Sequence, residues 1–514
     1  MKMKITGYNL GLGLLGLAPL AMTGCSGGNE TEKPNVIFFL IDDFGWSDLG
    51  CYGSRLCETP NIDRFAREGI RFTNAYAACH VSSPTRASIL TGKYPATLHL
   101  TEWLPGRKNF PFQRLMGPTI NQQLPYEEIT LAEALKDYGY TTAIYGKWHL
   151  GNEPSTPSAH GFEVQVPEGS VHGVQNYFAP FKMKGIEEKE GDYLTDRLTD
   201  KALEFIDNYK DKPFFLYLSH FAVHNPVQGK KDLVKKYEEK LKTMPPAEGP
   251  SHILEGNPDD PNPVSIEEAR TLLENEEYQG FTDLPNRMVK IMQHQDNAEY
   301  AAMVESMDQS FGRVMAKLKE LDLDDNTIVI FFSDNGGRGN GKGSTSNLPL
   351  RGGKGWLYEG GIRVPLIVKW PRHGTKGMVC DVPVISIDFY PTIMEMTGGR
   401  VPGEQKVEGV SIVPLLEGKE LPDRDDIYWH FPHYSNHGRQ SPGGAIRSGN
   451  YKLIEYYENY TVQLFDLEED PGEQHDISSS LPEKVNEMRN KLHQWREKVN
   501  AQMPGPNPEY DPEK

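Results

Sequence analysis

Val36-Ile37-Phe38-Phe39-Leu40-Ile41-Asp42-Asp43 is an unbroken apolar run that ends on two adjacent carboxylates. Six apolar residues with β-branched and aromatic members read as a strand buried on both faces, the kind that parallel sheets use. Similar runs recur at Tyr140–Tyr145, Phe214–Leu218, Thr327–Phe332 and Val364–Val368. Helical segments lie between them. Thr59-Pro60 opens one that stops at Gly69, and Thr130 with Glu133 forms a capping box for one that ends at Gly139. Met303, Met307, Phe311, Met315 and Leu318 recur at helical spacing and read as core packing. Strands alternating with helices predict an α/β fold with a large, mostly parallel central sheet.

In such a sheet the chemically active groups gather at the carboxyl ends of the strands. Val36–Ile41 runs into Asp42-Asp43, and Thr327–Phe332 into Ser333-Asp334-Asn335. Tyr140–Tyr145 is followed by Lys147 and His149, and Phe214–Leu218 by His220 and His224. Each pair has an ordinary explanation, since Asp and Asn make turns and caps and a lone histidine is usually structural. Four clusters on one sheet edge point instead to a site. Asp42, Asp43, Asp334 and the amide oxygen of Asn335 form an oxygen-only set suited to one hard divalent cation, Ca²⁺ or Mg²⁺.

A fifth element carries a candidate nucleophile. In Ser82-Ser83-Pro84-Thr85-Arg86, Ser83 is predicted to cap a helix, Pro84 to open it and Gly92 to stop it. Ser82 then sits just outside a helix N-terminus, where free N–H groups attract an anion, with Arg86 one turn on. A serine hydroxyl needs activation to act. By itself the pentapeptide reads equally well as an ordinary capped helix.

The wider stretch from Cys79 through Ser82-x-Pro84-x-Arg86 to Leu90-Thr91-Gly92-Lys93 resembles the signature of the type I sulfatases. In that family a Cys or Ser at the first motif position is oxidised to formylglycine, whose hydrate is the nucleophile. Here that position is Ser82, which places the resemblance in the serine-type branch, matured by a radical-SAM enzyme. Cys79 stands three residues too early, and Lys93 replaces the Arg that usually ends the signature. Tyr145-Gly146-Lys147-Trp148-His149, Val223-His224-Asn225-Pro226 and Leu350-Arg351-Gly352-Gly353-Lys354-Gly355 resemble further family motifs.

The resemblance implies an alkaline-phosphatase-like α/β sandwich and one ion, usually Ca²⁺, held by Asp42, Asp43, Asp334 and Asn335 with the modified Ser82. Asn335 separates this pattern from the two-zinc phosphodiesterases of the same superfamily, where a His is common. Arg86 and Lys147 would steady the formylglycine hydrate, Lys354 and His224 would bind sulfate, His224 would protonate the leaving oxygen, and His149 would take a proton from the hemiacetal. One hydroxyl of the diol attacks sulfur, and deprotonating the other expels sulfate and restores the aldehyde. The Gly352-Gly353 pair before Lys354 predicts close backbone packing there.

The 514 residues suit one large α/β domain and a smaller one. A net charge of −18 disfavours nucleic acid as a partner, so an anionic substrate has to be held by local cations. Residues 1–24, with Lys2 and Lys4 before an apolar stretch and Met22-Thr23-Gly24-Cys25 at the end, read as a lipoprotein-type signal peptide. Cys25 would then carry a lipid, the chain's one expected membrane contact, in the periplasm or outer membrane of a Gram-negative bacterium; ordinary secretory cleavage nearby and an uncleaved tail are the alternatives. A linker is expected at 25–34 and a catalytic domain at 35–420. Residues 421–514 are expected to form a small antiparallel sheet with one helix, and the Pro-rich stretch 503–508 to lack regular structure. Cys51 and Cys57 either close a small loop or remain free thiols.

The expected substrate is a sulfated oligo- or polysaccharide. Trp103 and His433 are the candidate sugar contacts, although aromatic residues near a domain boundary also serve interdomain packing. Loop segments similar to bacterial polysaccharide sulfatases suggest a galacto-configured 4-O-sulfate, and a pocket holding several cations, at the cell envelope where shortened chains arrive, favours exo action. The rival readings are a phosphoester hydrolase on the same fold and a catalytically dead glycan-binding lipoprotein.

Overall fold

The computed structural model describes residues 33–260, 271, 288–340, 343–421 and 426–511. The leader at 1–24, Cys25 and the linker up to residue 32 lie outside the described residues. β1 (Asn35–Ile41) is buried along its whole length. Val36, Phe38 and Leu40 enter one hydrophobic core, while Ile37, Phe39 and Ile41 enter the other, with Met303, Met307 and Phe311. Both faces are apolar, which is why the run shows no polar alternation.

The remaining strands of this sheet are β2 (Ile70–Tyr76), β3 (Thr141–Gly146), β4 (Val164–Val166), β5 (Phe214–Ser219), β6 (Thr327–Ser333), β7 (Arg363–Lys369), β8 (Met378–Cys380) and β9 (Val384–Ile385). Their order is β8-β2-β7-β6-β1-β5-β3-β4, with β9 also paired to β2. β6, β1, β5, β3 and β4 run parallel. β7 runs against both of its neighbours, β6 and β2. The expected mostly parallel sheet is therefore present, and the Val364–Val368 run is its antiparallel member.

The predicted helices form at Pro60–Glu68, Leu131–Asp137 and Ala298–Glu320. Thr130 Oγ1 accepts from the Glu133 N–H at 3.2 Å and Glu133 accepts from the Thr130 N–H at 2.7 Å, completing the capping box. Asp308, on the longest of these helices, accepts from the Ile62 N–H at 2.8 Å and so locks two helices together. Beyond the central sheet, the Lys231–Thr243 helix precedes a two-stranded antiparallel sheet of His252–Glu255 and Val289–Met292.

β10 (Ile427–Phe431), β11 (Gly443–Ser448), β12 (Tyr451–Tyr456) and β13 (Val462–Asp466) form the second, antiparallel sheet in chain order. The Pro482–Lys498 helix packs on it through Val485, Met488, Leu492 and Trp495. From Lys33 onward the chain packs as one unit, so the boundary at 420/421 marks a change of sheet. Trp429-His430-Phe431 is a strand, and Trp429 packs inward with its indole N–H donating to the Ala77 carbonyl at 2.9 Å. One expectation is corrected here. The Pro-rich stretch is pinned, because Gly505–Pro506 pairs with Leu115–Met116 and Asn507 donates to the Phe110 and Gln113 carbonyls. Cys51, Cys57, Cys79 and Cys380 are all free thiols.

Buried charge ties the second sheet to the first. Lys452 on β12 lies 3.0 Å from Glu359 and 2.8 Å from Glu473, and all three side chains are fully buried. Burial pushes the Glu473 carboxyl up to about 7 despite Lys452, with Glu359 adding to the rise. Replacing the cation strands two carboxylates in an apolar setting. Lys452→Met is expected to cost about 3–5 kcal/mol, read as a fall in the urea midpoint at unchanged m-value.

Candidate active site

β6, β1, β5 and β3 are consecutive neighbours, so the polar clusters that follow them converge at one edge. Asp42 and Asp43 leave β1, Asp334 and Asn335 leave β6, Lys147 leaves β3 and His224 follows β5. The Asp43 N–H donates to Asp334 Oδ1 at 3.2 Å, and Asn335 Nδ2 donates to Asp43 Oδ1 at 2.9 Å. These acidic and amide side chains are at most 3% exposed. At the end of β3, Gly146 has φ +108°, and a Cβ there would meet the Ser219 carbonyl at 1.9 Å. That close approach lets the Lys147 N–H reach the same carbonyl at 2.7 Å and fixes where its side chain starts.

Ser82 joins the carboxylates from β2's side of the sheet. Its Oγ lies 3.2 Å from Asp42 Oδ1, 3.3 Å from Asn335 Oδ1 and 3.3 Å from Lys147 Nζ. The helix begins two residues earlier than its sequence suggests. Ser82 is its first residue and Val81 the cap, because Ser83 Oγ is committed to the Leu104 N–H at 3.1 Å. Pro84 is then third, still within the first turn, where a missing N–H leaves no intrahelical bond unmade. Ser82 therefore presents its hydroxyl from the opening turn itself.

Each carboxylate has its own cation. Lys147 Nζ lies 2.7 Å from Asp42, Lys354 Nζ 2.6 Å from Asp43, and Arg86 2.8 Å from Asp334. Arg86 does not turn over Ser82 as its spacing suggests. It also donates to Ser219 Oγ at 2.6 Å and so braces the carboxylate from below. Burial favours the neutral form of Asp42, but Lys147, His224 and Arg86 outweigh it and hold this carboxyl below the usual range. Lys354 does the same for Asp43. For Asp334 burial and the neighbouring Asp42 win over Arg86, and the carboxyl is raised. Lys354 stands where its glycines predict, since a Cβ on Gly353 would meet the Gly337 carbonyl at 2.6 Å.

The histidines divide. His224 Nε2 faces Asp43 at 3.6 Å while Nδ1 lies 3.0 Å from the Asn225 carbonyl. Burial, with Lys354 and Lys147, depresses its imidazole against the pull of Asp43. His149 Nε2 pairs with the Leu104 carbonyl at 2.9 Å, and burial beside Lys147 keeps the ring neutral. His220 is buried against Ser310 at 3.1 Å, inside the fold.

The site opens into a cavity of two lobes that share His224, Lys354, Asn436 and His437. The larger lobe, about 480 Å³, is lined by Ser82, Lys147, His149, Trp103 and Leu104. The smaller, about 260 Å³, is lined by Asp43, Arg338, Asn340 and Arg439. Trp103 is thus on the cavity wall. His433 is not, which corrects its expected place as a sugar contact. It is buried with Nε2 2.8 Å from Thr101 Oγ1 and packs edge-on against Phe431. His437, four residues on, lies in its stead beside Trp103, with ring centroids 6.2 Å apart. The sequence offered no motif for His437, Arg338 or Arg439, which sit in irregular loops.

Residues 34–399 match the family model described as Sulfatase, and residues 353–502 the one described as N-sulphoglucosamine sulphohydrolase, C-terminal. The chain belongs to the sulfatase family. It is therefore a sulfuric ester hydrolase by descent, with the alkaline-phosphatase-like fold. A sulfatase of Formosa agariphila is 30% identical over 95% of this chain and 93% of its own. The N-acetylglucosamine-6-O-sulfatase of Bacteroides thetaiotaomicron is 29% identical, over 90% and 86%. A protein solved in complex with its substrate, D-glucosamine-2-N,6-O-disulfate, is 25% identical with a TM-score of 0.68, over 91% and 98%.

Sulfatases generally use a metal ion and a formylglycine. The residues of this sulfatase fit a hard cation. Asp42, Asp43 and His224 present ligand atoms within 4.8 Å of one another. The remaining donors around Ser82 are oxygens of Asp334 and Asn335. No thiolate is among them, and an oxygen-rich set selects Ca²⁺ or Mg²⁺ over zinc. Three buried cations already balance three buried carboxylates, so a bound divalent ion would leave the site positive toward a sulfate ester.

Proposed function

We propose that this sulfatase hydrolyses sulfate esters of sugars through a formylglycine made from Ser82 by a serine-type radical-SAM maturase, after export as a lipoprotein. The observation that carries the reading is Ser82 Oγ, set within 3.3 Å of Asp42, Asn335 and Lys147 on the wall of an open cavity. In the proposed cycle, Asp42, Asp43, Asp334 and Asn335 would hold one Ca²⁺ or Mg²⁺, which would supply charge stabilisation and Lewis acidity beside position 82. Lys147 orients the hydroxyls at position 82, Arg86 fixes Asp334, and Lys354 neutralises a sulfate oxygen. His149, neutral and 2.9 Å from the Leu104 carbonyl, is placed to take the proton whose loss releases sulfate.

His224 is the proton donor for the leaving oxygen in this reading. A sugar alkoxide needs that proton, whereas an acidic phenol hardly does. His224→Ala is expected to lower kcat on sugar sulfates by roughly 10²–10³-fold and on nitrophenyl sulfate by less than about tenfold. Equal losses on both would leave His224 as a sulfate ligand only.

Support for a sugar comes from Trp103. Its ring lines the larger lobe, and its buried indole N–H has no acceptor among the described residues, so it is available to a substrate hydroxyl. Two of the similar proteins have sulfated glucosamines in their names. The O4 position on a galacto-configured end unit draws no support from those names, which carry 6-O- and N-sulfates. A panel of defined monosaccharide 4-, 6- and N-sulfates, with 4-nitrophenyl phosphate as the phosphoester control, tests the proposal. Turnover of a sugar sulfate well above the phosphate ester supports it. Preference for the phosphate ester, or no hydrolysis of any ester by the matured protein, overturns it.

A further inference from the structure

We propose that His437 is a specificity-determining residue, whose imidazole hydrogen-bonds the sugar hydroxyl nearest the sulfate. The inference rests on the sugar-sulfate reading and deepens it: a sugar that lacks this hydroxyl is a poor substrate. Three observations carry it. The first is availability. His437 lines both lobes of the cavity, and among the described residues its ring nitrogens have no hydrogen-bond partner. The neighbouring histidines are committed: His149 to the Leu104 carbonyl, His172 to Asn152, His224 to Asp43 and the Asn225 carbonyl, and His433 to Thr101. An imidazole nitrogen either donates or accepts, and a hydroxyl answers both, so the two pair in either tautomer.

Place gives the second observation. The two lobes meet at His224, Lys354, Asn436 and His437. In the proposed cycle Lys354 meets a sulfate oxygen and His224 the leaving oxygen, so the ester lies at this junction. Lys354, His224 and Asp43 are near enough to bear on the charge of the His437 imidazole. The Trp103 ring stands beside His437, tilted by 57°, so the two form a corner and not a stack. A sugar entering that corner shows His437 the carbon nearest the ester, not its far end.

Rigidity gives the third. His437 lies in the loop between β10 and β11. The Ser435 N–H donates to the Gln440 carbonyl at 2.9 Å, and the Gly438 N–H to Ser435 Oγ at 3.1 Å, which closes the loop across His437. The Ser441 N–H anchors it by donating to Asn257 Oδ1 at 2.6 Å. Gly438 packs backbone to backbone on Gly355, the residue after Lys354, and a Cβ on either glycine would run into the main chain of the other. The Gly355 N–H in turn donates to the carbonyl of His80, two residues before Ser82, at 3.1 Å. Main-chain contacts thus tie His437 to the sulfate-binding lysine and to the nucleophile segment. Its distance from the ester is set by backbone, which is what discrimination between substrates requires.

The test uses the matured protein, a sugar sulfate that it turns over, and the analogues in which each remaining hydroxyl is replaced in turn by hydrogen. The wild type is expected to lose at least about tenfold in kcat/KM on one of these analogues, that lacking the hydroxyl nearest the sulfate. His437→Phe keeps a ring against Trp103 and removes both nitrogens. It should lose a similar factor on the parent sugar, chiefly through KM, and show no further loss on that analogue. A merely structural role would leave the ratio between the two sugars as it is in the wild type. His437→Gln, which restores a donor and an acceptor, should regain part of the ratio, and His437→Ala gives the same answer as His437→Phe should the latter not fold. A wild type indifferent to every analogue, or a His437→Phe or His437→Ala that keeps the wild-type ratio, overturns the role of His437 and leaves the sugar-sulfatase reading standing. Hydrolysis of aryl sulfates with no turnover of any sugar sulfate overturns both.

Discussion

Ser82→Ala is expected to lower kcat for sulfate ester hydrolysis by at least about 10⁴-fold, with little change in the thermal midpoint. The hydroxyl is the atom to be oxidised and then to attack, so nothing remains to form a bond to sulfur. Its loss deletes one donated hydrogen bond, to Asp42 or Asn335, and one accepted from Lys147, and all three partners keep other strong contacts. The matching chemical observation is a loss of two hydrogens from the peptide that contains Ser82 when a serine-type maturase is present. Protein expressed without the maturase should fold and remain nearly inactive, because an unmodified serine sulfate would need a second difficult attack at sulfur. Full activity with a demonstrably unmodified Ser82 would overturn the mechanism.

Chelation of divalent cations is expected to be the second large effect, a loss of at least about 10³-fold that Ca²⁺ or Mg²⁺ reverses. Binding only to the folded state also raises the midpoint by mass action, so Ca²⁺ should shift the melting curve upward even for Ser82→Ala. That readout is independent of turnover. Asp334→Asn is the informative variant, since it keeps the shape of the side chain that meets Arg86 and removes one ligand charge. It should need more Ca²⁺ for the same shift. Asp334→Ala is less useful, because it leaves the fully buried Arg86 without its main partner and costs about 3–5 kcal/mol by itself. A requirement for two zinc ions would favour phosphodiester chemistry instead.

The central sheet was legible where both of its faces are dry. β1, β5, β6 and β7 carry continuous apolar stretches, and β3 the shorter Ala143-Ile144-Tyr145, because these side chains meet a core. β2 escaped notice because Arg71, Thr73 and Asn74 break its run, being only partly buried near the margin of the sheet. The cap at Ser83 was misplaced by two residues for a different reason. Capping preference is local, but the Ser83 hydroxyl is taken by Leu104, 21 residues away. Likewise His433 and His437 are indistinguishable in a list of residue types. One bonds Thr101 inside the fold and the other faces the cavity.

By itself the sequence determined the elements and the chemical inventory: strands from apolar runs, caps from residue type, and acids, amide and bases at strand ends, since all these depend on neighbours within a few positions. Only the tertiary structure decided the pairing of each acid with its cation: Asp42 with Lys147, Asp43 with Lys354, and Asp334 with Arg86. It also decided which loop residues line the cavity, bringing Arg338 from one loop and Arg439 from another, 101 residues apart in the chain, to the walls of one lobe. Such pairings depend on strand order and on loops meeting across the sheet edge. They carry no periodic or local signal, because the free energy that fixes them comes from contacts between segments remote in the chain.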